Sequence, residues 1–300
     1  EVLNAKSLER DPFDTFRDWF ALLNRGHRIF AVAGSDSHTV DGIVGQARTY
    51  VRSSTDDPSR ADVEEISKSF LDGRLLVSMG LIVDAVVDGK YRVGDVALRP
   101  KESRDAIRID VDLQGASWVA ADRLYVILNG AIVSEIKVKH DANATVKFRE
   151  TIRVPRPAHD AHLVLIARGP EPKSDFWPMA DDDRYALAAT NPIWIDGDGD
   201  GEYSSPREYA QEIAKSTKLE STRLSLTLAA YDQAVRVQVA SLVRSQFEQE
   251  LQKTVASLRS ETEKRLVTIL GEEGDLIRHY RESIPDVSVS LLRGDKKKKR

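Results

Sequence analysis

Three hundred residues carry 48 acidic and 44 basic side chains, a net charge of −4 and no cysteine. The length fits about two domains, a 41% apolar fraction suffices for real cores, and the lack of cysteine excludes disulfide frameworks, thiol nucleophiles and thiolate metal sites. Any metal must be held by His, Asp or Glu, which suits hard or borderline ions; no apolar run reaches the ~18 residues of a membrane helix, and the near-neutral balance argues against nucleic acid as a partner.

The chain opens on the strand-like Glu1-Val2-Leu3-Asn4, which enters in the middle of an α/β pattern and reads as a truncated or processed start. Asp11-Pro12 gives an N-cap followed by proline at the first helical position. Phe13, Phe16, Phe20 and Leu23 then form one apolar helix face, closed by Gly26. Residues 29–33 predict a short apolar strand running into Gly34-Ser35-Asp36-Ser37-His38, and a second helix follows over 61–71, ending at Gly73. Strand and helix alternate as in α/β folds. Two helices and about three strands close no barrel, so residues 1–80 read as the last part of a domain.

Residues 81–203 read as β. Positions 107–113 alternate as Ile-Arg-Ile-Asp-Val-Asp-Leu, a half-buried strand. Further strands are predicted over 124–128, 132–138, 145–154 and 163–167, with Asn129-Gly130 as a hairpin turn. Five or more short strands over this length predict a β-sandwich.

Residues 204–290 read as helical, because 207–270 contain neither proline nor glycine. Ser205-Pro206-Arg207-Glu208 has the form of a capping box. Apolar stripes run through Leu224, Leu228, Tyr231, Val235, Val239 and Leu242, and through Leu251, Val255, Leu258, Leu266 and Ile269. Their interruption at 245–248 predicts a turn between two antiparallel helices, which dock on the rest of the chain or on a second copy. A basic tail, 291–300, ends in Lys296-Lys297-Lys298-Lys299-Arg300 and reads as solvated. The fold class is thus α/β, then all-β, then all-α.

Asp36 and His38 are the sharpest chemical signal. On an extended segment, residues i and i+2 point the same way, and this pair lies where an apolar strand ends, the rim on which α/β barrels build active sites. The plainer reading is an Asx-turn with a surface histidine. Asp196-Gly197-Asp198-Gly199-Asp200-Gly201-Glu202 is the second candidate: its alternating carboxylates imitate a calcium loop. Arg207 at the twelfth position excludes an ordinary EF-hand, and an acidic glycine-rich turn stands beside calcium as an equal alternative. His159 and His162, spaced i, i+3, read as surface residues at a strand start; His27 suits a helix C-terminus; His140 and His279 sit in polar contexts.

Residues 19–28, Trp-Phe-Ala-Leu-Leu-Asn-Arg-Gly-His-Arg, followed by Ala33-Gly34-Ser35-Asp36-Ser37-His38, resemble the final metal-binding motif of PHP-domain metallohydrolases, in particular the carbaryl-esterase-like CehA/McbA group. The resemblance continues through Gly45, Arg48-Thr49-Tyr50-Val51, Gly73-Arg74, Ser78-Met79-Gly80, Val87-Asp88-Gly89, Asn129-Gly130 and Thr190-Asn191-Pro192-Ile193. It implies the C-terminal part of a distorted α/β barrel with a two- or three-metal centre of zinc, manganese or iron. Asp36 and His38 match the family's late ligand motif, while its early His-x-His motif has no counterpart here. The implied function is hydrolysis of a small-molecule phosphoester, carboxylic ester or carbamate by metal-activated water in the full-length protein, this chain alone being inactive. No residue is assigned as catalytic acid or base. The alternative is a non-catalytic binding or scaffolding module with a PHP remnant; in either case the C-terminal helices are where a second copy would join. The lack of cysteine and the calcium-like loop favour an exported protein.

Overall fold

A computed structural model describes residues 1–4, 11, 13–40, 44–100, 106–139, 144–170, 185–219 and 221–254. The chain divides into two compact units: residues 1–19 with 28–203, and residues 20–27 with 204 onward. Pro12, His140, His279, the stripe beyond 254 and the basic tail lie outside the described residues.

The first unit is built on two sheets. Four strands, β3 (Leu81–Val87), β4 (Tyr91–Arg92), β6 (Ala106–Gly115) and β9 (Val146–Pro155), pair antiparallel in the order β4-β3-β6-β9. The larger sheet runs β1 (Arg48–Val51), β2 (Leu75–Met79), β11 (Leu187–Thr190), β10 (Ala161–Arg168), β12 (Ile193–Ile195), β5 (Val96–Ala97). A branch of β7 (Arg123–Leu128) and β8 (Ala131–Lys137) pairs onto β10. Only the short β5–β12 pairing is parallel among the described strands. Two strands of this sheet thus come from the segment before residue 81.

The period-two reading of β6 holds. Ile107, Ile109, Val111 and Leu113 are buried in a core that also takes Leu81, Val83, Leu124, Val126, Leu163 and Leu165 from both sheets. Each such side chain contributes roughly 1.5–3 kcal/mol when removed from water. β10 is buried along its whole length, which is why it reads as a run rather than an alternation. Asn129 and Gly130 both take positive φ, 48° and 84°, between β7 and β8. That is the geometry whose twist matches the flanking strands.

The outer face of β6 carries a polar ladder. Asp112 lies opposite Arg149 and Asp110 opposite Thr151, and the Thr151 hydroxyl donates to Asp110 Oδ1 at 2.6 Å. That bond, helped by Arg108 against a desolvation penalty, holds the Asp110 carboxyl below its ordinary range. A depressed carboxyl stabilises the fold above its unfolded pKa, and the contribution is lost as pH falls through the folded value. Thr151→Val should therefore raise the Asp110 pKa, read by carboxyl-carbon NMR titration; an unmoved midpoint would show that Thr151 is not the cause.

Two helices belong to this unit in whole or part. Asp11 accepts the Phe13 N–H at 3.0 Å ahead of α1 (Asp14–Asn24), and Phe13 sits edge-on to Tyr125 at 5.8 Å. Burial opposes the charge of Arg17, but Asp11 and Asp14 outweigh it and raise its pKa. Asp62 caps α2 (Val63–Leu71) by accepting the N–H of Glu64 and Glu65.

Residues 29–33 form no sheet strand. The segment is extended, with a single parallel bridge between Leu3 and Ala33. Beside the backbone bonds from Val2 N–H to Val32 O and from Gly34 N–H to Leu3 O, side chains satisfy its backbone. The Asn191 amide accepts from Ala31 N–H at 2.7 Å and donates to Ala31 O at 2.9 Å, while the Thr49 hydroxyl does the same for Ala33 at 2.8 and 2.9 Å. Among the described residues no barrel closes.

The second unit is helical, with α3 (Pro206–Thr217), α4 (Ser221–Leu228) and α5 (Gln233–Thr254). Ser205 and Glu208 form the reciprocal capping box. Tyr209, Ile213, Leu224, Val235, Val239 and Val243 make its core. The predicted turn at 245–248 is absent, since α5 runs through it. The breaks fall at Lys218 and Leu219, both left-handed, and before Asp232, whose carboxylate accepts the Val235 N–H. Residues 245–248 are Ser-Gln-Phe-Glu, with two good helix formers and neither proline nor glycine, so nothing local stops the helix there.

Candidate functional site

The extended segment held by Asn191 and Thr49 delivers Asp36 and His38 to the surface. His38 Nε2 lies 2.5 Å from Asp36 Oδ1, with the imidazole 73% and the carboxylate 24% exposed. The two side chains converge, though not by strand alternation. Asp36 has φ of 51°, a left-handed position that aspartate tolerates and that a regular strand does not adopt. The imidazole donates its Nε2 proton to the carboxylate.

As donors, a carboxylate oxygen and an imidazole nitrogen suit zinc, manganese or iron. Two ligands on one tetrahedral zinc ion stand about 3.3 Å apart, so the pair must open and shed its shared proton to take a metal. Among the described residues the one cluster of three or more ligand-type side chains lies elsewhere, at Asp160, Asp196 and Asp198. Asp36 and His38 thus offer two ligand-type side chains, and no third is grouped with them among the described residues. A zinc site needs three or four protein ligands.

The acidic loop folds on itself. Asp196 accepts N–H bonds from Gly199 at 2.6 Å, and from Gly201 and Arg99 at 3.2 Å each. Asp198 accepts from Asp200, and Asp200 from Glu202. Asp160, fully buried, accepts from Gly197 at 2.7 Å and Asp198 at 3.4 Å. Asp160, Asp196 and Asp198 each place an oxygen within 4.8 Å of the others, whereas Asp200 and Glu202 stay exposed outside that group. The glycines supply the N–H donors that the carboxylates need, and this accounts for the spacing as a turn.

No family model, curated protein or solved structure matches the chain.

The sequence gives no sign of Asp160, which has no motif around it and reaches the loop only through the end of β10. His159 and His162 are buried, not exposed. The reason is the same strand: β10 is covered on both faces, and His162 lies edge-on to Trp194 at 6.5 Å. His27 is exposed just after Gly26 at the α1 C-terminus, where its N–H bonds Leu22 O. Among the described residues no helix is long and apolar enough to cross a membrane.

Proposed function

We propose that Asp36 and His38 are two ligands of a divalent-metal centre in an ester-bond hydrolase, whose remaining ligands come from outside the described residues. The observation that carries this is their convergence on an exposed loop, with the motif resemblance in support. In the same proposal, residues 1–80 are the last part of a PHP-type α/β domain. Zinc, manganese or iron bound there supplies an activated water and stabilises developing negative charge on a phosphoester, carboxylic ester or carbamate. The chain's own part is to hold the ion. Asp36 contributes charge, and His38 contributes the Nε2 of a neutral imidazole whose single proton sits on Nδ1.

The test uses protein isolated from the cells that make it, assayed for metal content and for hydrolysis of 4-nitrophenyl acetate and 4-nitrophenyl phosphate. His38→Ala should lower metal content and cut hydrolysis about 100-fold or more, beyond the usual effect of losing a mere supporting hydrogen bond. Unchanged metal and rate would remove the pair from the site. One observation favours a second reading, a non-catalytic binding module: the described residues give the pair no third ligand. Isolated protein with neither metal nor hydrolysis selects that reading.

A further inference from the structure

A cleft of about 360 Å³ opens in the first unit beside β1, an edge strand, and is lined by residues of β1, β2, the end of β6 and the loop after it. Arg48 and Tyr50, at i and i+2 on β1, both line it, as strand alternation requires of residues on one face. Arg48 Nε donates to Gly45 O at 2.6 Å, and Nη1 to the Tyr50 hydroxyl at 3.5 Å. Both partners are neutral. Among the described residues no carboxylate pairs with Arg48, and the lining contains no Asp or Glu. Among the described residues the guanidinium is thus oriented by neutral partners, with no carboxylate beside its charge.

Opposite chemistry completes the cleft. Trp118 is 65% exposed on the loop after β6, which is tied down by Val119 N–H to Ala116 O and by Lys147 Nζ to Ser117 O. A large flat apolar ring held beside a polar cleft is a stacking surface. Gln114 also lines the cleft, next to a register shift in the β6–β9 pairing, the kind of irregularity that re-aims a side chain. Its Nε2 donates to Asp112 at 2.7 Å, which leaves its carbonyl oxygen as an acceptor. Gln46 and Ser78 add a buried amide and hydroxyl to the lining.

We propose that this cleft binds a small carboxylic acid carrying one flat-faced ring. The carboxylate meets Arg48, the ring lies on Trp118, and the amides and hydroxyls bond the ring's substituents. An anion follows from a guanidinium whose described partners are neutral, in a lining without acids, and a planar carboxylate matches its fork. One ring follows from the volume, at the low end of small-molecule sites. Sugar acids and aromatic acids both have this chemistry. Asp36 and His38 take no part.

The 300-residue chain is titrated calorimetrically, and by tryptophan fluorescence, with D-glucuronate, 4-hydroxybenzoate, and their neutral counterparts D-glucose and phenol. At least one acid should bind saturably, and its neutral counterpart about 10-fold or more weaker. Glucuronate alone identifies a sugar acid, 4-hydroxybenzoate alone an aromatic one, and either supports the proposal. Arg48→Gln should weaken binding about 10- to 100-fold, the range of one charge-assisted contact, with Arg48→Lys between. Trp118→Ala should weaken binding and remove the fluorescence change. Both side chains are exposed, so an unchanged far-ultraviolet circular dichroism spectrum is expected for each variant. If neither acid saturates by about 10 mM, if the neutral counterparts bind equally, or if folded Arg48→Gln and Arg48→Lys both bind like the parent, the proposal is wrong.

Discussion

Gly197→Ala should lower the melting temperature of the first unit by about 6–20 °C. A β-carbon on Gly197 would lie 2.1 Å from the His159 carbonyl oxygen and 3.0 Å from that of Pro157. Both obstacles are backbone, so neither can swing away. Moving Gly197 instead pulls its N–H from Asp160, a buried carboxylate. Overpacking costs about 1–3 kcal/mol and a lost bond to a charged group about 1.5–3. Roughly 3–5 kcal/mol, at about 2–4 °C per kcal/mol, gives the stated shift. Near-ultraviolet circular dichroism on heating reads it. Gly201→Ala is the control: its φ of 94° strains any side chain, but nothing lies within 4 Å, so a loss near 1 kcal/mol is expected. Equal melting of Gly197→Ala and the parent would mean that the close approach to His159 is not real.

What was legible in the sequence was what neighbours in sequence decide. The β6 alternation, the Asn129-Gly130 turn and the Ser205–Glu208 capping box each depend on a few adjacent residues, and each stands as read. The helix breaks could have been found from Asp232, a capping residue, more surely than from gaps in an apolar stripe. Residues 29–33 defeat a local reading because their hydrogen-bond partner, Asn191, is 160 positions away from Ala31. An apolar extended segment looks the same whether a strand or a side chain satisfies it. His159 and His162 were misplaced for a related reason: the coverage of β10 comes from elements distant in sequence. Of the candidate site, the convergence of Asp36 and His38 was legible. The joining of Asp160 to the acidic loop was not, since it is purely tertiary.

Asn191→Ala should be about as damaging to the fold as Gly197→Ala, and more damaging to the site. Asn191 is fully buried. Its side chain accepts from Ala31 N–H at 2.7 Å and donates to Ala31 O at 2.9 Å and Leu75 O at 3.2 Å. Leu75 O keeps the Asn191 backbone N–H, so truncation strands two backbone groups, both on Ala31. At about 1–3 kcal/mol for each unsatisfied buried group, the loss is about 2–6 kcal/mol. Asn191→Asp should do no better, because it puts a carboxylate oxygen against two carbonyls. Ala31 lies five residues before Asp36, and the segment is then left to Thr49 through Ala33 and to the backbone bonds of Val2 with Val32 and of Leu3 with Gly34. Hydrogen exchange at Ala31 and Ala33 should quicken about 10-fold or more, as local opening replaces a fixed segment. Metal affinity should fall with it wherever Asp36 and His38 act as ligands, because both ride on that segment. Unchanged exchange at Ala31 and Ala33 in a folded Asn191→Ala protein would show that the amide does not hold the segment.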